Sequence, residues 1–586
     1  MGEYPGVKTC TAVVQKNNGA EYLIGYYTAQ GEISPQELKK YMQGKLPEYM
    51  IPTALTELKS MPMTSSGKVD KKALPLPDFS AFRAEYIAPE NDTERALCMA
   101  FAHALKLPEN EVGVLDDFFE LGGDSLSAMA AMADAGIESL TPADIFQNRT
   151  PKAIAEALTE RLNQGSLDER EDAARKVPHA LTRLQQQMID NQLFKPYSTM
   201  WNNLNFLVRF EPSVDAERLC SALNKALANH PALSSAFFFD DNNNLKYQYI
   251  PGLLKEVKVH DIREKELEQL SAALVLPFPK ILNSCLCRAH VFRSEKYTYL
   301  FMDVHHTLMD GGSLGIVLAD IVNAYFGREL KRDYYFSIIA DEEQRIANGS
   351  REKDREWFME KYGDDDWCNV PPCKTKTDSI RKVSREKRLS FNAEQIGQAE
   401  KYWGASFSVI ATSAALIALS RFTGREHVMI NWIFNNRLAP EAENTAGMLI
   451  KNLPAALRME EFNDLRGVLM SVKDQVSDSI AHSTYDFMYE TYQAFQEDCM
   501  EVNLNLGING DELDVLNPEI IDLENDFAEA TARVEFILLE NEYGDGGFDS
   551  LMDYAEGLFD KEQIEAFHDL YIEILEDIVF CREIKL

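Results

Sequence analysis

His305-His306-Thr307-Leu308-Met309-Asp310-Gly311-Gly312-Ser313 places two adjacent imidazoles, a carboxylate and two glycines after an apolar run, and before a helical stripe through Leu314, Val317, Leu318 and Ile321. A loop between a strand end and a helix presents such groups where they can move a proton or steady a developing charge. A second stretch, Phe118-Phe119-Glu120-Leu121-Gly122-Gly123-Asp124-Ser125-Leu126, sets a serine hydroxyl where two glycines let the backbone turn into an apolar helix through Leu126, Met129 and Met132. Asp124 or Ser125 can cap that helix. A phosphate esterified to Ser125 would sit at its positive end, favoured by about 0.3–1 kcal/mol at an exposed site. Ser125 therefore reads as an attachment point.

These groups need several domains to hold them. A chain of 586 residues exceeds one core, since single domains run to ~100–200 residues. Residues 1–78 alternate short apolar runs, Thr11 to Val14 and Tyr22 to Tyr27, with a helical stretch at 34–42, which gives a small α+β unit. Pro75, Pro77 and Pro89 bracket a linker over 79–89. Over 90–162, the stripes Leu97, Phe101, Leu105 and Ile154, Leu158, Leu162 flank the Ser125 helix, which predicts a small helical bundle. The polar run Asn163 to Val177 breaks all periodicity and predicts a second linker over 163–178. Beyond it, alternation at Leu204, Phe206, Val208 and Phe210 precedes a helix carrying Leu219, Leu223, Ala226 and Leu227 and the strand Tyr297 to Met302. The same mixture returns at Phe407 to Leu419, Val428 to Phe434 and Val534 to Leu539, so two sandwich-like α/β lobes are expected, 179–345 and 346–586.

Composition narrows the function classes. A net charge of −35 without a basic stripe repels phosphate backbones, so nucleic acid is not an expected partner. No run of eighteen apolar residues is present, and Phe407 to Leu419 is broken by Ser408, Thr412 and Ser413, so no membrane span is expected. The opening Met-Gly-Glu-Tyr-Pro lacks a basic and an apolar leader region, and the expected location is cytoplasmic. Nine cysteines without a CxxC pair fit reduced thiols, and no metal site is expected.

The Ser125 stretch resembles the modification site of acyl and peptidyl carrier domains, with their Leu-Gly-Gly-x-Ser-Leu pattern. Leu46-Pro47-Glu48-Tyr49-Met50-Ile51-Pro52 and Met63-Thr64-Ser65-Ser66-Gly67-Lys68-Val69-Asp70 resemble late motifs of the adenylation domains of nonribosomal peptide synthetases, and Leu74-Pro75-Leu76-Pro77 resembles their docking linker. The loop at 305–313 resembles the HHxxxDG motif of condensation domains, which share the fold of chloramphenicol acetyltransferase. Leu181-Thr182-Arg183-Leu184-Gln185-Gln186-Gln187-Met188 is similar to the first condensation motif, and Asn229-His230-Pro231-Ala232-Leu233 to the second with its arginines lost. Gly447-Met448-Leu449-Ile450-Lys451-Asn452-Leu453-Pro454 and Tyr485-Asp486-Phe487-Met488-Tyr489-Glu490 are similar to the fifth and sixth.

The resemblance implies a multidomain fragment of a nonribosomal peptide synthetase: the small α+β C-terminal subdomain of an adenylation domain, a four-helix carrier, and a two-lobed chloramphenicol-acetyltransferase-like condensation domain. It implies phosphopantetheine on Ser125 beside Asp124, an adenylation lysine at Lys68 in a fragment not expected to adenylate, and His306 as the catalytic residue. His305, Asp310, Gly311, Arg437 and Asn452 support the site, with Arg437 the mate of Asp310. His306 has three roles open to it: positioning the amine, taking its proton, or stabilising the oxyanion. The partners implied are an upstream adenylation core, a downstream acceptor carrier and a phosphopantetheinyl transferase; a monomer and an L-configured donor are expected.

Three other readings compete. Gly311-Gly312-Ser313-Leu314-Gly315 fits the G-x-S-x-G elbow of a thioesterase, although a polar loop separates it from the strand. Asp124 before the serine favours an epimerisation domain, whereas Leu314-Gly315 and the stretch Gly447 to Pro454 favour condensation. A noncatalytic docking module is suggested by the poor motif at Tyr334-Tyr335-Phe336-Ser337, the unrecognisable seventh motif and the acidic stretch Asp511 to Ala528.

Overall fold

The computed structural model describes every residue except 3, 18–19, 32, 35–37, 39–40, 43–51, 53, 63–68, 70, 72–73, 76–85, 106, 109–110, 119–120, 122, 124, 138–139, 142–143, 146–147, 164–165, 195–202, 267–273, 275, 277, 364–365, 374–381, 492–499, 504–515, 517, 522–533, 541–546 and 583. Lys68, Asp124 and most of both adenylation-like motifs thus lie outside the described residues. The chain divides into two compact units, Met1–Asn163 and Gln164–Leu586.

The first unit opens with β1 (Val7–Asn17), antiparallel to β2 (Ala20–Ala29), which pairs in parallel with β3 (Ala54–Glu57). Alternation sends Ile24 and Tyr26 to one cluster with Val13 and Leu74, and Tyr27 to another with Leu38, Met42 and Leu55. The Tyr26 hydroxyl donates to the Pro75 carbonyl at 2.6 Å, which fastens the Leu74-Pro75 segment to the sheet. Among the described residues three helices follow: α1 (Asp92–Ala104), α2 (Ser125–Ala135) and α3 (Pro151–Asn163). Asn91 caps α1 by accepting from the Glu94 N–H at 2.8 Å, and Pro151 opens α3, where a missing N–H costs nothing. Leu97, Phe101, Phe118, Ala128, Ile154 and Leu158 form the core between them.

The second unit begins with a helix inside the stretch expected to be linker: Leu167–Ala174 is α4, opened by a capping box between Ser166 and Glu169. It packs on the lobe that follows: Arg170 pairs with Asp341, Arg332 with Asp168 and Asp172, and the fully buried Glu171 accepts from Arg175 and from the Ser337 N–H. Its charged residues defeat a periodicity test because partners distant in sequence hold it.

Next come β4 (His179–Ala180), α5 (Arg183–Phe194), β5 (Asn203–Phe210), α6 (Ala216–Asn229), β6 (Ser235–Phe239), β7 (Leu245–Tyr249), β8 (Val259–Asp261), β9 (Cys287–Arg293), β10 (Thr298–His305), α7 (Gly311–Tyr325), α8 (Tyr335–Ala347) and α9 (Ser350–Tyr362). After these lie β11 (Lys382–Asn392), α10 (Ala393–Trp403), α11 (Phe407–Thr423), β12 (His427–Phe434), β13 (Lys451–Arg458), α12 (Leu465–Ala481), α13 (Phe487–Glu490), β14 (Met500–Asn503), β15 (Glu519–Ile521), β16 (Val534–Glu540), β17 (Gly547–Ala555) and α14 (Lys561–Val579).

The N-terminal lobe has a sheet in the order β15-β5-β10-β9-β8, with a smaller sheet β4-β7-β6. Leu300, Met302 and Val304 of β10 pack with Leu219 and Leu223 of α6 and Val317 and Ile321 of α7. The C-terminal lobe has the sheet β11-β17-β16-β14-β12-β13, with the buried helix α11 and α14 in its core. The strand β15 crosses over from this lobe's sequence: Ile520 pairs with Val208 of β5, so the first sheet is completed from the second lobe. Ala446 and Leu449 join the N-terminal core, a second stitch between the lobes.

Candidate active site at the end of strand β10

β10 is buried along its whole length and delivers His305 and His306 to the loop before α7. His305 is fully buried. Its Nε2–H donates to Gln192 Oε1 at 2.7 Å, and its Nδ1 accepts from the Thr307 hydroxyl at 2.8 Å and backbone N–H at 3.2 Å. Burial, reinforced by His306, depresses its pKa to about 3, so the ring is neutral and its tautomer is fixed from both sides.

His306 is less enclosed, and burial also holds its pKa below the ordinary value. The carbonyls of His306 and Met309 and the Asp310 carboxylate oppose that shift. Its Nδ1 is buried with no hydrogen-bond partner among the described residues. The ring is neutral near pH 7 and can accept a proton.

Asp310 caps α7 and is fully buried. Five donors saturate its carboxylate: Ser313 N–H at 2.9 Å, Ser313 hydroxyl at 2.7 Å, Arg437 Nη2 at 2.8 Å and Nη1 at 3.1 Å, and Leu449 N–H at 3.0 Å. Arg437 also donates to Ser313 Oγ at 2.9 Å. A carboxylate so occupied has no lone pair left for substrate. Ser313 Oγ accepts from Gly447 N–H and lies within α7, and its hydrogen-bond partners among the described residues are Asp310, Arg437 and Gly447, with no imidazole among them. That is not the exposed serine of a nucleophile elbow.

Two side chains outside the loop brace it or its surroundings. Gln185 donates to the Thr307 carbonyl at 2.8 Å. Asp333 accepts from the Ala446 and Tyr335 N–H groups and from the ring of His230, tying the second motif to the fifth. Neither Gln185 nor Asp333 stood out as a site residue from sequence; Gln185 lay inside a recognised motif, whereas Asp333 carried no pattern. Gly447 has a steric reason, because a Cβ there would fall within the Tyr335 ring. Gly311 has none, with nothing near the place of its missing Cβ. Asn452 stands on β13 and faces a cavity at the seam of the lobes, apart from the Asp310 network.

In the other unit, Ser125 is the first residue of α2, where the helix presents N–H groups with no intrahelical partner. Gly123 N–H donates to the Phe118 carbonyl at 2.9 Å, and a Cβ on Gly123 would run into the Phe118 ring. The backbone thus passes close over a buried phenylalanine just before α2, and a helix start offers N–H donors that suit a phosphodiester.

A two-lobed α/β domain with a double-histidine loop at the end of its central strand defines the acyltransferase class to which chloramphenicol-acetyltransferase-like domains belong. Residues 177–580 match the model "Condensation domain", and the chain belongs to that family. Residues 95–158 match "Phosphopantetheine attachment site" and 1–68 match "AMP-binding enzyme C-terminal domain". Gramicidin S synthase 2 of Aneurinibacillus migulanus is 26% identical over 98% of this chain and 13% of that protein. Surfactin synthase subunit 1 of Bacillus subtilis (strain 168) is 24% identical over 96% of this chain and 16% of that protein. The chain thus spans less than a fifth of these relatives. Among solved structures, the first condensation domain of the calcium-dependent antibiotic synthetase shares the fold, with TM-score 0.55, 16% identity, and coverage of 70% of this chain and 98% of that one. The epimerization domain from the third module of tyrocidine synthetase B shares it equally, with TM-score 0.55, 16% identity, and coverage of 69% and 96%.

Proposed function

We propose that the chain forms a peptide bond between two carrier-bound groups: its carrier holds the donor, and its condensation domain passes that donor to the amine of an acceptor on a downstream carrier. The observation that supports this best is the neutral, partly exposed His306 on a loop whose other polar groups are all spent on structure. Bound to Ser125, phosphopantetheine would supply the thiol that carries the donor as a thioester. In that transfer the amine would bond to the acyl carbon as the thioester bond breaks, its proton passing to the released thiol. His306 would hold the amine in place, receive its proton as the bond forms and pass it on, or steady the charge on the acyl oxygen. An α-amine with pKa near 7.7–8.0 is roughly a third neutral at pH 7.5, so His306 need not deprotonate it in the ground state.

Asp310 and Arg437 hold the loop and the start of α7, and His305 anchors the strand end through Gln192. Lys68 and the first 78 residues belong, on this reading, to an adenylation domain whose core lies upstream, and a phosphopantetheinyl transferase modifies Ser125. Intact-mass measurement with coenzyme A and such a transferase tests the carrier: a phosphopantetheine mass gain lost in Ser125→Ala is expected, and a gain that persists in that variant refutes the assignment. His306→Ala, loaded and folded, is expected to lose transfer; full activity would remove His306 from its role.

Epimerisation remains a second reading, since the same fold serves an epimerization domain and Asp124 precedes the serine. Exchange of the α-proton of a loaded aminoacyl group with deuterated solvent would support it.

A further inference from the structure

At the seam of the two lobes lies a cavity of about 150 Å³. Its walls come from α5 (Arg183, Leu184), β13 (Lys451, Asn452) and the two ends of α13 (Asp486 before it, Glu490 at its last residue). Two of these walls adjoin the reactive loop through single residues. Gln185, between lining residues Leu184 and Gln186, grips the Thr307 carbonyl, and Leu449, beside lining residue Ile450, donates its N–H to Asp310. Through these two residues the cavity is linked to the loop that carries His306, although no residue of that loop lines it.

Most of its charges are already paired. Lys451 is bound to Glu342, with both side chains mostly buried, while Arg351 binds Glu490 and Arg183 lies 3.5 Å from the same carboxylate. Glu343 accepts from His179 and from the Ala180 N–H. Asp486 is the exception. One of its oxygens caps α13 by accepting from Tyr489 N–H at 3.0 Å, and the other takes no hydrogen bond among the described residues. Burial pushes this carboxyl up to about 6 with Glu490 adding to the effect, and the Tyr489 N–H, Lys451 and Arg183 only partly offset it. Asn452, on the neighbouring wall, likewise has its amide uncommitted among the described residues.

From this we propose that the cavity receives the ammonium or guanidinium end of a basic side chain on a carrier-bound aminoacyl group, with Asp486 as its counter-charge and Asn452 as a hydrogen-bond partner. The volume suits such a head group and its last methylenes. A cavity whose other ions are mutually satisfied leaves one carboxylate to be matched, and a cation with several N–H donors matches it best. The inference rests on the condensation reading, because it is the adjoining reaction that would bring an aminoacyl group here.

The test uses the full chain and Asp486→Asn, which keeps the helix cap and removes the charge. Binding of Nα-acetyl-lysine methylamide and Nα-acetyl-norleucine methylamide is followed by saturation-transfer NMR. The lysine probe is expected to bind at least about tenfold more tightly than the norleucine probe, and to lose that advantage in Asp486→Asn while norleucine binding stays unchanged. Equal binding of the two probes, or a lysine preference that survives the substitution, overturns the proposal. A second measurement loads lysine or norleucine on the donor carrier in one arm and on the acceptor carrier in the other. The arm in which the variant loses its preference for lysine identifies which substrate uses the cavity; preference unchanged in both arms also overturns it. Failure of every loaded pair to condense counts against the proposed function, and the NMR result then still decides the cavity.

Discussion

Removing Arg437 should damage the protein through Asp310. Arg437→Met takes two of the five donors from a fully buried carboxylate and leaves the charge in place. Breaking a buried pair from one side costs about 3–5 kcal/mol, because the remaining ion keeps its desolvation penalty. Asp310→Asn in the same background removes that charge and retains a cap for the Ser313 N–H, so much of the loss should return. The five tryptophans all fall at or beyond Trp201, so tryptophan fluorescence in urea reports on the second unit alone. Arg437→Met is expected to lower the stability of that unit by about 3–5 kcal/mol, and the double variant to show a coupling of at least about 2 kcal/mol. A loss below about 1 kcal/mol, or additive effects, would show that the pair is not what holds the loop to α7.

Other outcomes follow from the same geometry. His230, clasped by Asp333 at 2.7 Å and Asp320 at 3.2 Å, has its pKa raised to about 9 despite burial. A raised folded-state pKa stabilises fully below the unfolded value of about 6.5 and fades as pH climbs through 9, so about 3 kcal/mol should be lost over that window. His230→Gln should flatten this slope in urea titrations, and an unchanged slope would contradict the assignment. Gly447→Ala must displace the Tyr335 ring or the backbone, and a loss of a few kcal/mol with impaired transfer is expected, checked by thermal unfolding and product mass. Arg170→Ala with Arg332→Ala should speed hydrogen exchange across Leu167–Ala174 by about tenfold, three partly exposed ion pairs being lost; unaltered protection would mean that burial of Glu171 and Ala174 alone docks α4.

The sequence-level reading succeeded where function and local structure coincide. A double histidine followed by Asp and Gly must sit in a loop, and the apolar alternation before it and the stripe after it name the strand and helix that hold it. α11 was equally plain, since an apolar run of that length can only be buried. Elements held by distant partners were not plain. α4 owes its place to Asp341, Arg332 and Ser337, and its one local signal was the capping pair Ser166 and Glu169. β15 has three residues inside a strongly acidic stretch, and its strand character comes from the register of β5. The pairing of His230 with Asp333 joins residues about a hundred positions apart, and no spacing rule reveals it.

The most direct measurement is transfer itself. With Ser125 loaded with a donor and a separate carrier loaded with an aminoacyl acceptor, intact masses are followed over time for the native chain and for His306→Ala. Expected is loss of the donor mass from this chain with a matching gain on the acceptor carrier, absent in the variant. Donor mass that stays on Ser125, or leaves only as free acid, would contradict peptide-bond formation by this chain.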